Sequence, residues 1–223
     1  MRKIPVYTEI AYVLGLILLA FGTVFMAYGG FGISMVAAPG YVLYLKLSPS
    51  LPFFTFGTAG YFVEALVLLG MMAIIRKARF TYLFSFVTAV LYGILLDACS
   101  LMTALLPDSM ALQLLLYIFG MFLCSFAISL LLISYFPPAA HEMFVKEVSA
   151  CKSLSLGKLK TVYDCAALAL TMVLSLLFFG NIQGIGLGTV ICAFINGFFI
   201  RSFSNLLKNI FSFQDAFTLR HRF

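Results

Sequence analysis

Four ionisable side chains, Glu64, Asp97, Asp164 and Arg201, stand inside long apolar runs, where an unpaired charge is costly to hold. Residues of this kind pair with one another, face a water-filled cavity, or bind an ion or polar solute, so the chemistry they offer is electrostatic rather than covalent. Lys46 adds a fifth charge in a shorter apolar stretch between Pro39 and Pro52. Tyr12, Tyr92, Tyr117, Thr189 and Asn196 carry polar tips that need partners when buried, and they could line the same space. His141 and Glu142 are adjacent, but no matching serine, cysteine or metal-ligand set accompanies them. Intramembrane hydrolysis is therefore not expected, and the chain does not read as an enzyme. Cys99, Cys124, Cys151, Cys165 and Cys192 are scattered singly, without the close Cys and His spacing of a zinc site. They read as polarizable packing residues, and neither a metal nor a cofactor is expected.

The elements that must position these groups follow from composition. Hydrophobic residues make up 63% of the 223 positions and charged residues 10%, against about a quarter charged in a soluble domain. Apolar stretches long enough to cross a bilayer recur from end to end, with no polar block large enough to fold separately. Because backbone groups left unbonded in hydrocarbon are expensive, each stretch should be a helix. Six spans are predicted, at Val6–Met26, Gly57–Ile75, Thr81–Leu101, Ala111–Ser134, Thr161–Phe179 and Gly186–Leu206, in a single membrane domain over residues 1–223. Arg2 and Lys3 precede the first stretch in the manner of a signal peptide, but its length marks it as a permanent span.

Six spans place both termini on one side of the bilayer. That side collects Arg2, Lys3, Arg76, Lys77, Arg79 and Lys146, then Lys152, Lys158, Lys160, Lys208, Arg220 and Arg222, while the other receives only Lys46. The excess of basic residues in cytoplasmic loops makes the crowded side cytoplasmic. The net charge of +6 is accounted for in this way, and no nucleic-acid partner is expected.

The two halves resemble each other. YVLGLILLAFG from Tyr12 matches YIFGMFLCSFA from Tyr117 at an offset of 105 residues. AVLYGILLDACSLM from Ala89 matches AFINGFFIRSFSNLL from Ala193 at an offset of 104, which superposes Gly93 on Gly197 and Asp97 on Arg201. GTAGYFVEALVLL from Gly57 likewise resembles LKTVYDCAALAL from Leu159 at an offset near 102. Each half, residues 1–108 and 109–223, reads as span, short interfacial or re-entrant helix, span, span. An odd number of spans per repeat inverts the second relative to the first, an architecture that recurs in transporters. The Gly-rich breaks, GGFG from Gly29 and GNIQGIGLG from Gly180, lie outside any strand-to-helix unit and read as turns and close packing rather than phosphate loops.

Helical rise puts Asp97 about 9 Å outside its span centre and Arg201 about 7 Å inside its own, so the two should not pair directly. Glu64 and Asp97, with Lys46, could instead form an outer polar cluster, and Asp164 with Arg201 an inner one. Two such clusters at inverted positions would suit gates that open alternately around a central cavity.

GISMVAAPGYVLYLKLS, TFGTAGYFVEALVLL, YGILLDACS and GIGLGTVICAFINGFFI together resemble the YitT/YczE-type bacterial integral membrane proteins over nearly the whole chain. The chain departs from that pattern at PPAAHE, where the acid after the prolines is displaced to Glu142. The resemblance implies a multi-pass protein of the bacterial cytoplasmic membrane whose biochemical activity is unsettled. The expected function is a small-molecule transporter working by alternating access. The alternatives are a substrate-binding membrane subunit of a multi-component importer and a non-transporting scaffold or regulator. The expected partners are the lipid bilayer, an unknown small-molecule substrate, and a second copy or partner membrane subunits.

Overall fold

A computed structural model of the chain describes residues 4–77, 80–103, 105–137, 139–154 and 156–215. Arg2, Lys3, Arg79, Arg220 and Arg222, on which the charge asymmetry partly rests, lie outside these residues, as does the side chain of Lys158. Eight described helices make up most of the chain: α1 (Thr8–Gly29), α2 (Ala38–Leu47), α3 (Phe56–Ile75), α4 (Phe80–Thr103), α5 (Met110–Ile133), α6 (Ala140–Lys152), α7 (Leu156–Phe179) and α8 (Leu187–Ile210). Among the described residues α1, α3, α4, α5 and α7 are long and apolar enough to cross a membrane. The molecule is a multi-pass α-helical membrane protein. The first five expected spans fall on these helices, the first of them only from Thr8 onward, and the sixth falls on α8, which is not among the five. The two short segments are the 10-residue α2 and the 13-residue α6, neither long enough to cross.

The bundle is organised around α1 and α5, which pack antiparallel along most of their length. Small residues make that approach possible: a Cβ on Gly22 would lie 2.8 Å from the Gly120 carbonyl, and one on Gly120 would lie 2.7 Å from the Gly22 carbonyl. With no room for a side chain between them, dispersion between the backbones takes the place of side-chain interdigitation. Further packing joins α1 to α4, α5 to α8, α3 to α6, α2 to α7, α2 to α3 and α6 to α7.

Helices α3 and α4 meet closely at Gly57 and Gly93, where a Cβ on Gly93 would lie 2.9 Å from the Gly57 carbonyl. Helices α7 and α8 have no comparable contact among the described residues, and nothing lies within 4 Å of a Cβ built on Gly197.

Two short strands finish the chain ends. β1 (Ile4–Tyr7) runs parallel to β2 (Phe211–Gln214), with Ile4 opposite Phe211 and Tyr7 opposite Gln214. The start of α1 and the end of α8 therefore lie side by side. Thr8 reinforces the junction by donating to Asp215 at 2.9 Å.

Candidate functional site

A cavity of about 460 Å³ lies among α1, α2, α3, α4, α5, α6, α7 and α8. Its lining runs from Tyr12 to Thr23 of α1 and from Cys124 to Leu132 of α5, and reaches Ser34, Gly40 and Phe56 toward the opposite end of the bundle. Leu16, Leu19, Leu96, Ile128, Leu131 and Val145 make most of its wall apolar.

The opposite end is closed by the two glycine-rich breaks. Ile33 N–H donates to the Gly184 carbonyl at 3.1 Å and Gly188 N–H to the Phe31 carbonyl at 3.0 Å. A Cβ on Gly32 would stand 2.6 Å from the Gly186 nitrogen, so these backbones approach as closely as the expected small-residue packing requires.

Glu64 is the most deeply placed acid of the site, 5% exposed near the middle of α3. Its carboxylate accepts the Ala140 N–H at 3.1 Å, the first free amide of α6. A helix N-terminus presents unbonded N–H groups and the positive end of its dipole, which explains why a carboxylate is tolerated there. His141 and Glu142 follow in the same helical turn and also line the cavity. His141 pairs through Nδ1 with the Tyr163 hydroxyl of α7. Burial, aided by the charge of Lys160, pushes the His141 imidazole down to about 3, so it is neutral at physiological pH. Burial also raises the Glu142 carboxyl above its ordinary range, with Lys160 opposing.

On α7, Lys160 bonds Asp164 Oδ1 at 3.0 Å one turn along, and that oxygen has no hydrogen-bonding partner besides this ammonium among the described residues. Two hydroxyl pairs cross the cavity wall, Tyr12 with Thr88 at 2.6 Å and Thr23 with Tyr92 at 2.8 Å. Asn196 of α8 accepts from Ser125 of α5 at 2.7 Å.

Of the residues singled out by sequence, the structure brings Glu64, Asp164, Tyr92, Asn196 and Tyr12 to the cavity. It does not bring Asp97, Lys46 or Arg201 there. The expected outer cluster of Glu64, Asp97 and Lys46 is not formed. Asp97 instead accepts from the Thr55 hydroxyl at 2.6 Å and the Gly57 N–H at 2.7 Å, fastening the start of α3 to α4. Lys46 donates to the Phe178 carbonyl at 3.1 Å and lies over the Phe178 and Phe179 rings at the end of α7, where a cation suits the negative end of the dipole. The expected inner pair of Asp164 and Arg201 is not formed either: Asp164 is held by Lys160, and Arg201 is exposed on α8. Tyr117 and Thr189 serve the closed end rather than the cavity, Tyr117 against Gly29 and Gly188 and Thr189 against Gly32. Of the five cysteines, Cys99, Cys124 and Cys192 are buried, the last two lining the cavity, whereas Cys151 and Cys165 are exposed.

Lys160, Thr23 and Thr88 are the cavity residues that sequence reasoning missed. Lys160 stands at the start of a span, where a lysine reads only as an orientation signal. The partial signal was its spacing of four from Asp164, which puts both on one helix face.

An apolar helical bundle enclosing a mostly apolar cavity, with a few convergent polar groups, defines a multi-pass membrane protein with a central pocket. Residues 6–205 match the model of a family of unknown function (DUF6198), and the chain belongs to that family. No curated protein and no solved structure matches it.

Proposed function

We propose that the chain is a small-molecule transporter of the bacterial cytoplasmic membrane, built from two inverted repeats that alternately close the two ends of the central cavity. α8, at 24 residues and so about 36 Å long, serves as the sixth crossing. The parallel pairing of β1 with β2 supports an even number of crossings, because it joins the two ends of the helical bundle at one face. Positive residues at that face make it cytoplasmic. The Gly and Pro patterns shared with YitT/YczE-type proteins support the same membrane.

Exchanging α1 with α5, α2 with α6, α3 with α7 and α4 with α8 leaves most of the packing pattern unchanged: α1 with α4 becomes α5 with α8, and α3 with α6 becomes α7 with α2. Two pairs break the exchange, α4 with α6 and, more extensively, α3 with α4, and the second carries the proposal. α3 and α4 meet at Gly57 and Gly93, while their counterparts around Leu159 and Gly197 stand apart. A pair closed at one end and its inverted copy open at the other is the arrangement expected of a transporter resting with its cavity toward the cytoplasm. The cavity also speaks against a scaffold whose charges merely fix helix packing.

The test is a double substitution, Leu159→Cys with Gly197→Cys, in a chain whose five native cysteines are serine. Oxidation is expected to join α7 to α8 and to block labelling of a third cysteine, placed at Asn196, by a water-soluble maleimide from the cytoplasmic side. A bundle that never forms the disulfide under oxidant, at any temperature at which it remains folded, is rigid at this seam and is not an alternating-access transporter.

A further inference from the structure

We propose that the cavity takes an amphiphilic organic monocation, an apolar body with a single ammonium or phosphonium centre, seated against Glu64. This deepens the transport reading and rests on it.

The charges that line the cavity do not balance. Among the described residues three acidic side chains (Glu64, Glu142, Asp164) and two lysines (Lys146, Lys160) line it, one more acid than base. Lys160 is taken by Asp164, and Lys146 is exposed. Glu64 is the acid left inside the bundle with an amide dipole and, among the described residues, no cation paired with it. A full charge in such a place is stable only if a counter-charge joins it.

The shape and surface of the space decide what that counter-charge is. An inorganic cation stripped of water needs about six oxygens around it, and the aliphatic wall does not supply them. Among the described residues no group of three metal-ligating side chains occurs. An organic cation instead gains by burying its apolar body against Leu16, Leu131 and Val145, and Tyr92 and Phe136 add aromatic rings to the same lining. An anion is disfavoured although α6 points its N-terminus inward, because Glu64 and Glu142 already occupy that end.

The test uses tetraphenylphosphonium and tetraphenylborate, near-identical in size and opposite in charge, on the purified full chain in lipid nanodiscs. Labelled tetraphenylphosphonium is expected to bind saturably and to be displaced by its unlabelled form but not by tetraphenylborate. Glu64→Gln should weaken binding at least tenfold, while Glu64→Asp, which keeps the charge, and Asp97→Asn, which lies outside the cavity, should stay within about threefold. If Glu64→Gln does not fold, the contrast between cation and anion on the unaltered chain decides alone. Equal competition by tetraphenylborate, or binding indifferent to Glu64→Gln in a folded variant, overturns the assignment. Absence of saturable tetraphenylphosphonium binding also overturns it. The α7–α8 disulfide separates the two failures: if it forms and blocks labelling while the cation does not bind, the substrate class is wrong and the alternating seam stands.

Discussion

Helices α3 and α4 resemble helices α7 and α8 in sequence, yet only the first pair is closed. At Gly57 and Gly93 two backbones touch, and Asp97 adds hydrogen bonds from Thr55 and Gly57 across the same seam. At the matching positions stand Leu159, Gly197 and Arg201, with open space around Gly197 and an exposed guanidinium. A leucine replaces a glycine, and a base replaces an acid that could accept backbone N–H groups. The difference shows how two seams of similar sequence differ in strength: one is locked by contacts that tolerate no extra atom, and the other lacks both the lock and the fit.

The most forceful way to break this contrast is to add one methyl group to each side. Gly57→Ala drives its Cβ into the Gly93 carbonyl, a backbone atom with nowhere to go, and should cost about 3 kcal/mol, the upper end for overpacking. Gly197→Ala meets nothing and should leave stability unchanged or raise it by roughly 0.5–1 kcal/mol through helix propensity. Thermal loss of the monodisperse peak in detergent reads both, and equal effects would show that the seams do not differ.

A smaller effect is expected from the capping acid. Asp97→Ala leaves the Gly57 N–H and the Thr55 hydroxyl without their acceptor and should cost about 2 kcal/mol, whereas Arg201→Gln should shift stability by less than about 0.5 kcal/mol. The same melting measurement checks the pair.

The smallest effect extends the comparison to the α6–α7 seam, where His141 pairs with Tyr163. His141 has its folded-state value depressed to about 3 from an ordinary 6.5, so its contribution is present above 6.5 and is lost as pH falls toward 3. Glu142, with its value raised, acts in the opposite sense, favouring the folded state as pH falls through the raised range. Comparing the unaltered chain with His141→Gln between pH 7 and 5.5 cancels the Glu142 part. The unaltered chain should lose about 1 kcal/mol more than the variant. Equal losses would mean that the imidazole is already hydrated, and hence that the seam admits water.

Much of this was legible in sequence, and the reason for the remainder is physical. Span positions follow from the length of apolar runs, and Gly93 and Gly197 were aligned before either had a neighbour. Partners were not legible. In a helix apolar on every side, the face toward lipid and the face toward protein look alike, so nothing in the run around Glu64 points to Ala140, 76 residues away. Asp97 read as a buried charge in search of a counter-ion because a carboxylate bonded to a distant helix start leaves no local pattern. Lys160 read as an anchor because its position, not its type, decides whether it meets headgroups or Asp164.

The strand pair at the chain ends imposes a mechanical asymmetry. Its ladder is made by backbone groups, so it is indifferent to which side chains occupy Ile4–Tyr7 and Phe211–Gln214. It ties the foot of α8 to the foot of α1, whereas α7 rests on α6 and α2 and is held at its far tip by Lys46.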